Sequence, residues 1–598
     1  MARSTSTSNK STQSYLPKKR LLASILLAVF LFTLIFAKLI YVMLVEGKSL
    51  QVKALDQWTR DLPNDAPRGQ ILDRNGVVLA GTATRYNLYV RPNSATDKEG
   101  LAQCLAEVFG YDKDKVLEKI SKKVSEVTVA TKVTKDQMSA LFDMGFDGLY
   151  YSEDNFRYYP YGDFMTQVLG FTGADGNGQT GLEAYYDKYL TGINGYILTE
   201  TDLVGREIEG GENYYLPSIS GLNLTTTLDS RVQEIVEGAV EKAVALYNPK
   251  AVACLVMDYT NGEIISLAEY PSFDLNNVPR DDLEKLFSSS KSMLVSSVYE
   301  PGSTFKILTA AAALDTGAMN TAKRFYCPGF RIVDGKRIRC WKTKGHGSID
   351  FGEGVESSCN CVFMDSALAM GTDKFYTYLK NFGLRAKTGV DMTGETSGIF
   401  ISQDLVKTVD LARIGFGQAV AVTPIGMMTA CSAVVNGGKT VTPHLVKGFA
   451  DEKGNKIDDV FVIEEKNTVV SGETSAVMRE LLSRVVSHGS GKGAGVNGYN
   501  IAGKTGTAQK YENGGIAQGK YISSFLGFSL EAGAPYGVLM IVDEPKGYVY
   551  YGSLVAAPLV GDIFRSVFDL FSLPKSNDFD VESSFNPDNV EDYIDLVE

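Results

Sequence analysis

The chain has 598 residues, too many for one hydrophobic core, so it divides into several domains. Its 44% hydrophobic and 22% charged residues are those of a globular protein and exclude wholesale disorder. A net charge of −12 lacks the basic footprint that nucleic acid requires, so no nucleic-acid partner is expected.

Residues 1–20 are rich in Ser and Thr, carry Arg3, Lys10, Lys18, Lys19 and Arg20, and contain no acid. From Leu21 to Val45 the chain is apolar apart from Ser24, Thr33 and Lys38. As a helix this stretch spans roughly 37 Å, enough to cross a bilayer with some tilt. It is too long and too bulky at its end for a cleaved signal peptide, so a retained single-pass anchor is expected. The basic residues before it predict a cytoplasmic N-terminus and an extracellular remainder.

Residues 46–224 mix short strand-like and helical runs. Asn75-Gly76 before Val77-Val78-Leu79 predicts a turn entering a strand. A second region, 225–573, begins with a predicted hairpin: Ala251–Asp258, the turn Asn261-Gly262, then Glu263–Ala268. Ser303–Leu314 has no polar face after its first turn and predicts a helix buried on all sides. Ser524–Leu530 and Tyr536–Asp543 predict further strands, so this region reads as one α/β domain whose sheet joins distant segments. Residues 574–598 hold eight acids and predict a disordered, solvated tail.

Three histidines, no HExxH and no GxSxG argue against a zincin or an α/β-hydrolase. A serine activated without histidine needs another base, and a lysine of lowered pKa can serve. The pattern SxxK occurs at Ser288/Lys291, Ser303/Lys306 and Ser572/Lys575, and of these only Ser303 opens a buried helix. There Lys306 at i+3 reaches the Ser303 hydroxyl, and burial lowers its pKa. Ser358-Cys359-Asn360 and Lys504-Thr505-Gly506 follow in order. A second KTG, Lys387-Thr388-Gly389, sits in a turn-rich stretch and is read as structural. The later copy is preferred because Ile501-Ala502-Gly503 and Thr507-Ala508 flank it as a strand edge that a substrate backbone can approach.

The ordered set SxxK, SxN, KTG is the pattern of penicillin-binding proteins and class A β-lactamases. Tyr299-Glu300-Pro301-Gly302 before Ser303, Arg68–Gly76 (RGQILDRNG), Arg157-Tyr158-Tyr159-Pro160, Gly181-Leu182-Glu183 and Pro271-Ser272-Phe273-Asp274 resemble class B penicillin-binding proteins. The resemblance implies a β-lactamase/transpeptidase-like domain, with an antiparallel sheet flanked by helices, behind a mixed α+β non-catalytic pedestal. It implies a serine D,D-transpeptidase that cross-links peptidoglycan stem peptides and is acylated by β-lactams. In that reading Ser303 is the nucleophile, Lys306 its base and Ser358 a proton relay. Asn360 orients substrate and Lys306, and Lys504 with Thr505, Gly506 and Thr507 binds the terminal carboxylate. A polytopic glycan-polymerising glycosyltransferase is the implied partner on the pedestal. The alternatives are a β-lactamase or β-lactam sensor on the same fold, and a non-enzymatic component of the division machinery. Division, elongation and sporulation roles are not separated by these residues.

Catalysis on this pattern needs no cofactor. Seven cysteines nevertheless lie beyond the anchor, and Cys327, Cys340, His346 and Cys359 fall within 33 residues. Three thiolates and an imidazole match a closed tetrahedral zinc site. A Cys327–Cys340 disulfide and free thiols are the other readings, with Cys361 as a reserve ligand.

Overall fold

The structure, a computed structural model, describes residues 16–50, 53, 59–200, 214–457, 467–512 and 515–576. The acidic tail expected after residue 574 lies almost wholly outside the described residues, as does the start of the basic N-terminal segment. The chain divides into two compact units, residues 1–65 with 194–219 and residues 66–193 with 220–598.

The first unit contains the apolar helix Leu16–Tyr41, continued by a π-helical turn Val42–Glu46. From Lys18 onward its side chains are exposed, and the helix is long and apolar enough to cross a membrane. A three-stranded sheet in the same unit has Gly195–Glu200 between Thr59–Asn64 and Tyr214–Leu216.

The second unit is organised by a five-stranded antiparallel sheet. The strand order is Ile264–Tyr270, Ala251–Asp258, Tyr536–Asp543, Gly515–Ser529, Ile501–Glu512. The predicted hairpin and the C-terminal strands are therefore one sheet, and the KTG strand is its edge. Ala251–Asp258 shows no polar alternation because both faces are covered. Val252, Cys254 and Val256 pack towards helices Ser230–Tyr247 and Gly552–Leu570, with Val236, Val560 and Phe564. Ala253, Leu255 and Met257 pack on the opposite face with Ile307, Leu308 and Met428. Each such aliphatic side chain removed from water contributes about 1.5–3 kcal/mol, which is how a helix as apolar as Lys306–Asp315 becomes the centre of the domain.

A second sheet joins Asn223–Thr226 to Val446–Ala450 on one side and to Ile71–Leu72 on the other. The strand at the expected 224/225 boundary is thus hydrogen-bonded to segments on both sides of it. The short sequence motifs of the pedestal converge here. Glu183, fully buried, bridges Arg68 Nε at 2.6 Å and Arg157 Nε at 2.7 Å. Asp73 accepts the backbone N–H groups of Asn75 and Val77 and the hydroxyl of Ser230, tying the predicted turn to the start of helix Ser230–Tyr247.

Candidate active site

Ser303 does not sit in the first turn of an α-helix, as the sequence suggests. Gly302–Phe305 forms a 3₁₀ turn, and the α-helix starts at Lys306. The tighter winding stacks positions i and i+3, so Ser303 and Lys306 remain on one side. Gly302 has φ +55°, and a Cβ there would meet Thr507 O at 3.2 Å. Only glycine lets the nucleophile turn pack this close to the KTG strand.

Lys306 is 1% exposed. Its Nζ donates to Ser358 O at 2.7 Å, Ser358 Oγ at 3.0 Å and Asn360 Oδ1 at 2.7 Å. Among the described residues no hydrogen bond joins it to Ser303 Oγ, so the lysine is oriented by the SxN segment. Burial lowers its pKa to about 8, against the opposing influence of the nearby cysteines. Ser358 is held at φ +55°, a left-handed conformation unusual for a side chain other than glycine. Asn360 begins the buried helix Asn360–Met370.

The KTG strand supplies the facing wall. Lys504 is fully buried, and its Nζ has no hydrogen-bond partner among the described residues. Burial and the charge of Lys306 push its pKa well down. Thr505 and Thr507 line the cleft above it; Thr505 Oγ1 lies 3.1 Å from Ser490 Oγ, and Thr507 Oγ1 accepts Gly552 N at 3.0 Å. At Gly506 a Cβ would stand 2.4 Å from Ser524 Oγ, which explains the glycine. Ser303, Ser358, Asn360, Thr505 and Thr507 together border a cleft of about 960 Å³. The other KTG is elsewhere: Lys387 is exposed, and Thr388 Oγ1 donates to Glu395 at 2.6 Å, closing a local turn.

Three contributors had no signal in the sequence. Trp341 Nε1 donates to both Ser357 O and Ser358 O at 3.1 Å, and Arg339 O accepts Asn360 Nδ2 at 3.4 Å. Ser490 completes the wall behind Thr505. All of them reach the site through tertiary contacts, which no local pattern encodes.

Beside this site the sulfur atoms of Cys327, Cys340 and Cys359 and a ring nitrogen of His346 lie within 4.8 Å of one another. The three cysteines are buried and no disulfide joins them. His346 Nε2 is buried without a hydrogen-bond partner, and Cys361 Sγ lies 3.4 Å from Cys327 Sγ.

The model of the penicillin-binding protein transpeptidase domain matches residues 252–565, more than half the chain, and that of the penicillin-binding protein dimerisation domain matches residues 63–226. This chain belongs to the penicillin-binding protein transpeptidase family. The family member called stage V sporulation protein D, from Bacillus subtilis, is 38% identical over 95% of this chain and 88% of its own length. Peptidoglycan D,D-transpeptidase FtsI of Escherichia coli is 26% identical over 84% of this chain and 83% of its own. Among solved structures, penicillin-binding protein 2X from Streptococcus thermophilus superposes with a TM-score of 0.73 at 24% identity, over 86% of this transpeptidase and 80% of that chain. The sequence resemblance to class B penicillin-binding proteins is therefore borne out in family and fold.

Proposed function

We propose that this penicillin-binding protein is a peptidoglycan D,D-transpeptidase working through an acyl-enzyme on Ser303. The observation that carries the assignment is the buried Lys306 amine, held by Ser358 and Asn360 beneath the cleft that Ser303 borders. Three acceptors around Nζ suit the ammonium. The neutral amine keeps two N–H donors for Ser358 O and Asn360 Oδ1 and turns its lone pair to the Ser303 hydroxyl. Ser303 Oγ then attacks the carbonyl between the two D-alanines of a stem peptide, its proton passing to Lys306. Backbone N–H groups of Ser303 and Thr507 receive the oxyanion. The C–N bond breaks, and the proton reaches the leaving amine through Ser358. The amine of a neighbouring stem resolves the ester and regenerates Ser303. Thr505 and Thr507 bind the terminal carboxylate at the cleft wall, while Lys504 favours it electrostatically from behind. A β-lactam mimics the dipeptide and stays attached to Ser303. Ser303→Ala should abolish labelling by fluorescent penicillin in the full-length protein, while Ser288→Ala and Ser572→Ala label normally. Labelling that survives Ser303→Ala refutes the assignment.

In the same reading Leu16–Tyr41 anchors the protein with its N-terminus in the cytoplasm, and residues 46–224 form the pedestal that receives a polytopic glycan-polymerising glycosyltransferase. The name of the Bacillus relative favours work in sporulation, to be checked by whether a tagged copy gathers at the forespore. Cys327, Cys340, His346 and Cys359 hold a structural zinc ion. Four donors within 4.8 Å of one another, with His346 Nδ1 3.7 Å from Cys340 Sγ and no disulfide among the cysteines, support this over a disulfide. The ion would tie the segment 327–346 to the SxN motif at Cys359. About one zinc per purified chain is expected, lost together with thermal stability in Cys327→Ser. Protein free of zinc refutes it.

A further inference from the structure

The segment that carries Cys327, Cys340 and His346 has a charge unlike the rest of the chain. From Lys323 to Lys344 eight Lys and Arg stand against one acid, Asp334, in a protein whose net charge is −12. Part of this segment folds as an antiparallel hairpin, Phe330–Val333 against Lys336–Arg339. Ile338 is buried, so Arg337 and Arg339, on either side of it, share the outer face. The Arg337 guanidinium lies 3.8 Å over the Phe330 ring, which keeps it on that face. The chain then passes directly into the cleft, where Arg339 and Lys342 are lining residues; Lys336 and Lys344 are exposed.

These bases are not neutralised locally. Arg331, whose strand partner is the buried Ile338, pairs with Asp365 at 2.7 Å. Among the described residues Lys336, Arg337, Arg339, Lys342 and Lys344 have no carboxylate partner. None of the acids lining the cleft pairs with these bases: Glu356 pairs with Arg484, and Glu353 and Glu300 accept the backbone N–H groups of Asp350 and Ala419. A positive strip therefore runs from the cleft through Arg339 and Arg337 on the outer face to Lys336, exposed beside the hairpin turn about 10 Å from Arg339 at 3.3 Å per residue. That is further than the binding of one stem terminus requires.

We infer that this hairpin face is a second binding site, and that its ligand is the un-cross-linked peptidoglycan strand, held by the free carboxylates of stems neighbouring the one in the cleft. The inference rests on the reading of the cleft as a stem-peptide site. A polymer that repeats carboxylates matches a row of unpaired cations, and continuity with the cleft favours the substrate polymer over an unrelated polyanion. Attraction between exposed charges fades over about 8 Å at physiological salt, so the contact concentrates substrate and depends on ionic strength.

The test uses full-length Ser303→Ala protein in detergent, titrated with un-cross-linked strands bearing free stem carboxylates. Adding Lys336→Ser, Arg337→Ser and Lys344→Ser should weaken binding about tenfold at low salt and flatten its salt dependence. Strands amidated at their carboxyl groups should bind both proteins equally weakly. With Ser303 restored, the three substitutions should leave penicillin labelling intact. Equal affinity of the two proteins for free-carboxylate strands overturns the inference, as does binding of a glycerol-phosphate polymer in preference to those strands. Loss of labelling in the triple variant also overturns it, because the charges would then act inside the cleft. The Ser303 assignment is read from labelling of the single variant, so its failure is distinguishable from failure of the polymer site.

Discussion

Lys504→Met should move stability and activity in opposite directions. Lys504 Nζ is fully buried and makes no hydrogen bond among the described residues. Burial and the charge of Lys306 favour its neutral form, and a buried amine without a hydrogen-bond partner still costs about 1–3 kcal/mol of lost hydration. Methionine keeps most of the stem's volume and removes the unpartnered polar group, so the variant should gain about 1–3 kcal/mol. The substrate side works the other way. An arriving carboxylate favours the protonated form of Lys504 again, and the charge-assisted interaction it gains is worth about 1.5–3 kcal/mol. At about 1.4 kcal/mol per tenfold, its loss slows acylation roughly ten- to hundredfold. Stopped-flow acylation with a chromogenic β-lactam and chemical denaturation of the same preparation measure both quantities. A variant that loses stability and acylation together would show that Lys504 is a packing residue and refute the argument. Unchanged acylation would refute it equally.

Trp341→Phe removes the donor shared by Ser357 O and Ser358 O; acylation should fall about five- to tenfold with the fold intact, and a normal rate would show that the left-handed Ser358 needs no such support. Burial lowers the Lys306 pKa to about 8, and only the neutral amine accepts a proton, so acylation should rise with pH, pass half its limit near 8 and level off about one unit higher. A profile flat between pH 6 and 9 would exclude Lys306 as the base. Glu183→Ala leaves Arg68 and Arg157 buried without their shared carboxylate and should cost about 3–5 kcal/mol in denaturant melts, and a change below 1 kcal/mol would contradict the buried-bridge account.

The amino-acid sequence by itself determined what local pattern and burial can carry. The apolar run that becomes helix Leu16–Tyr41, the hairpin at Asn261-Gly262, the buried helix after Ser303 and the order SxxK, SxN, KTG were all legible, because each is written in consecutive residues. The donor set Cys327, Cys340, His346 and Cys359 stood in the sequence beside disulfide and free-thiol readings, and it is the fold that gathers it within 4.8 Å. What only the tertiary structure decided lies between segments far apart in the chain. Lys306 looked poised for Ser303, yet its hydrogen bonds go to Ser358 and Asn360, because the 3₁₀ turn and the packing of helix Asn360–Met370 aim the amine there. Lys504 and Lys387 share the same tripeptide; one is buried in the edge strand of the sheet and the other is exposed in a turn closed by Glu395. Trp341 carried no motif, and its role appears only when the hairpin lies against the SxN segment. Sequence periodicity reports which face of an element is apolar, whereas hydrogen bonds across more than a hundred residues depend on how those faces close on one another.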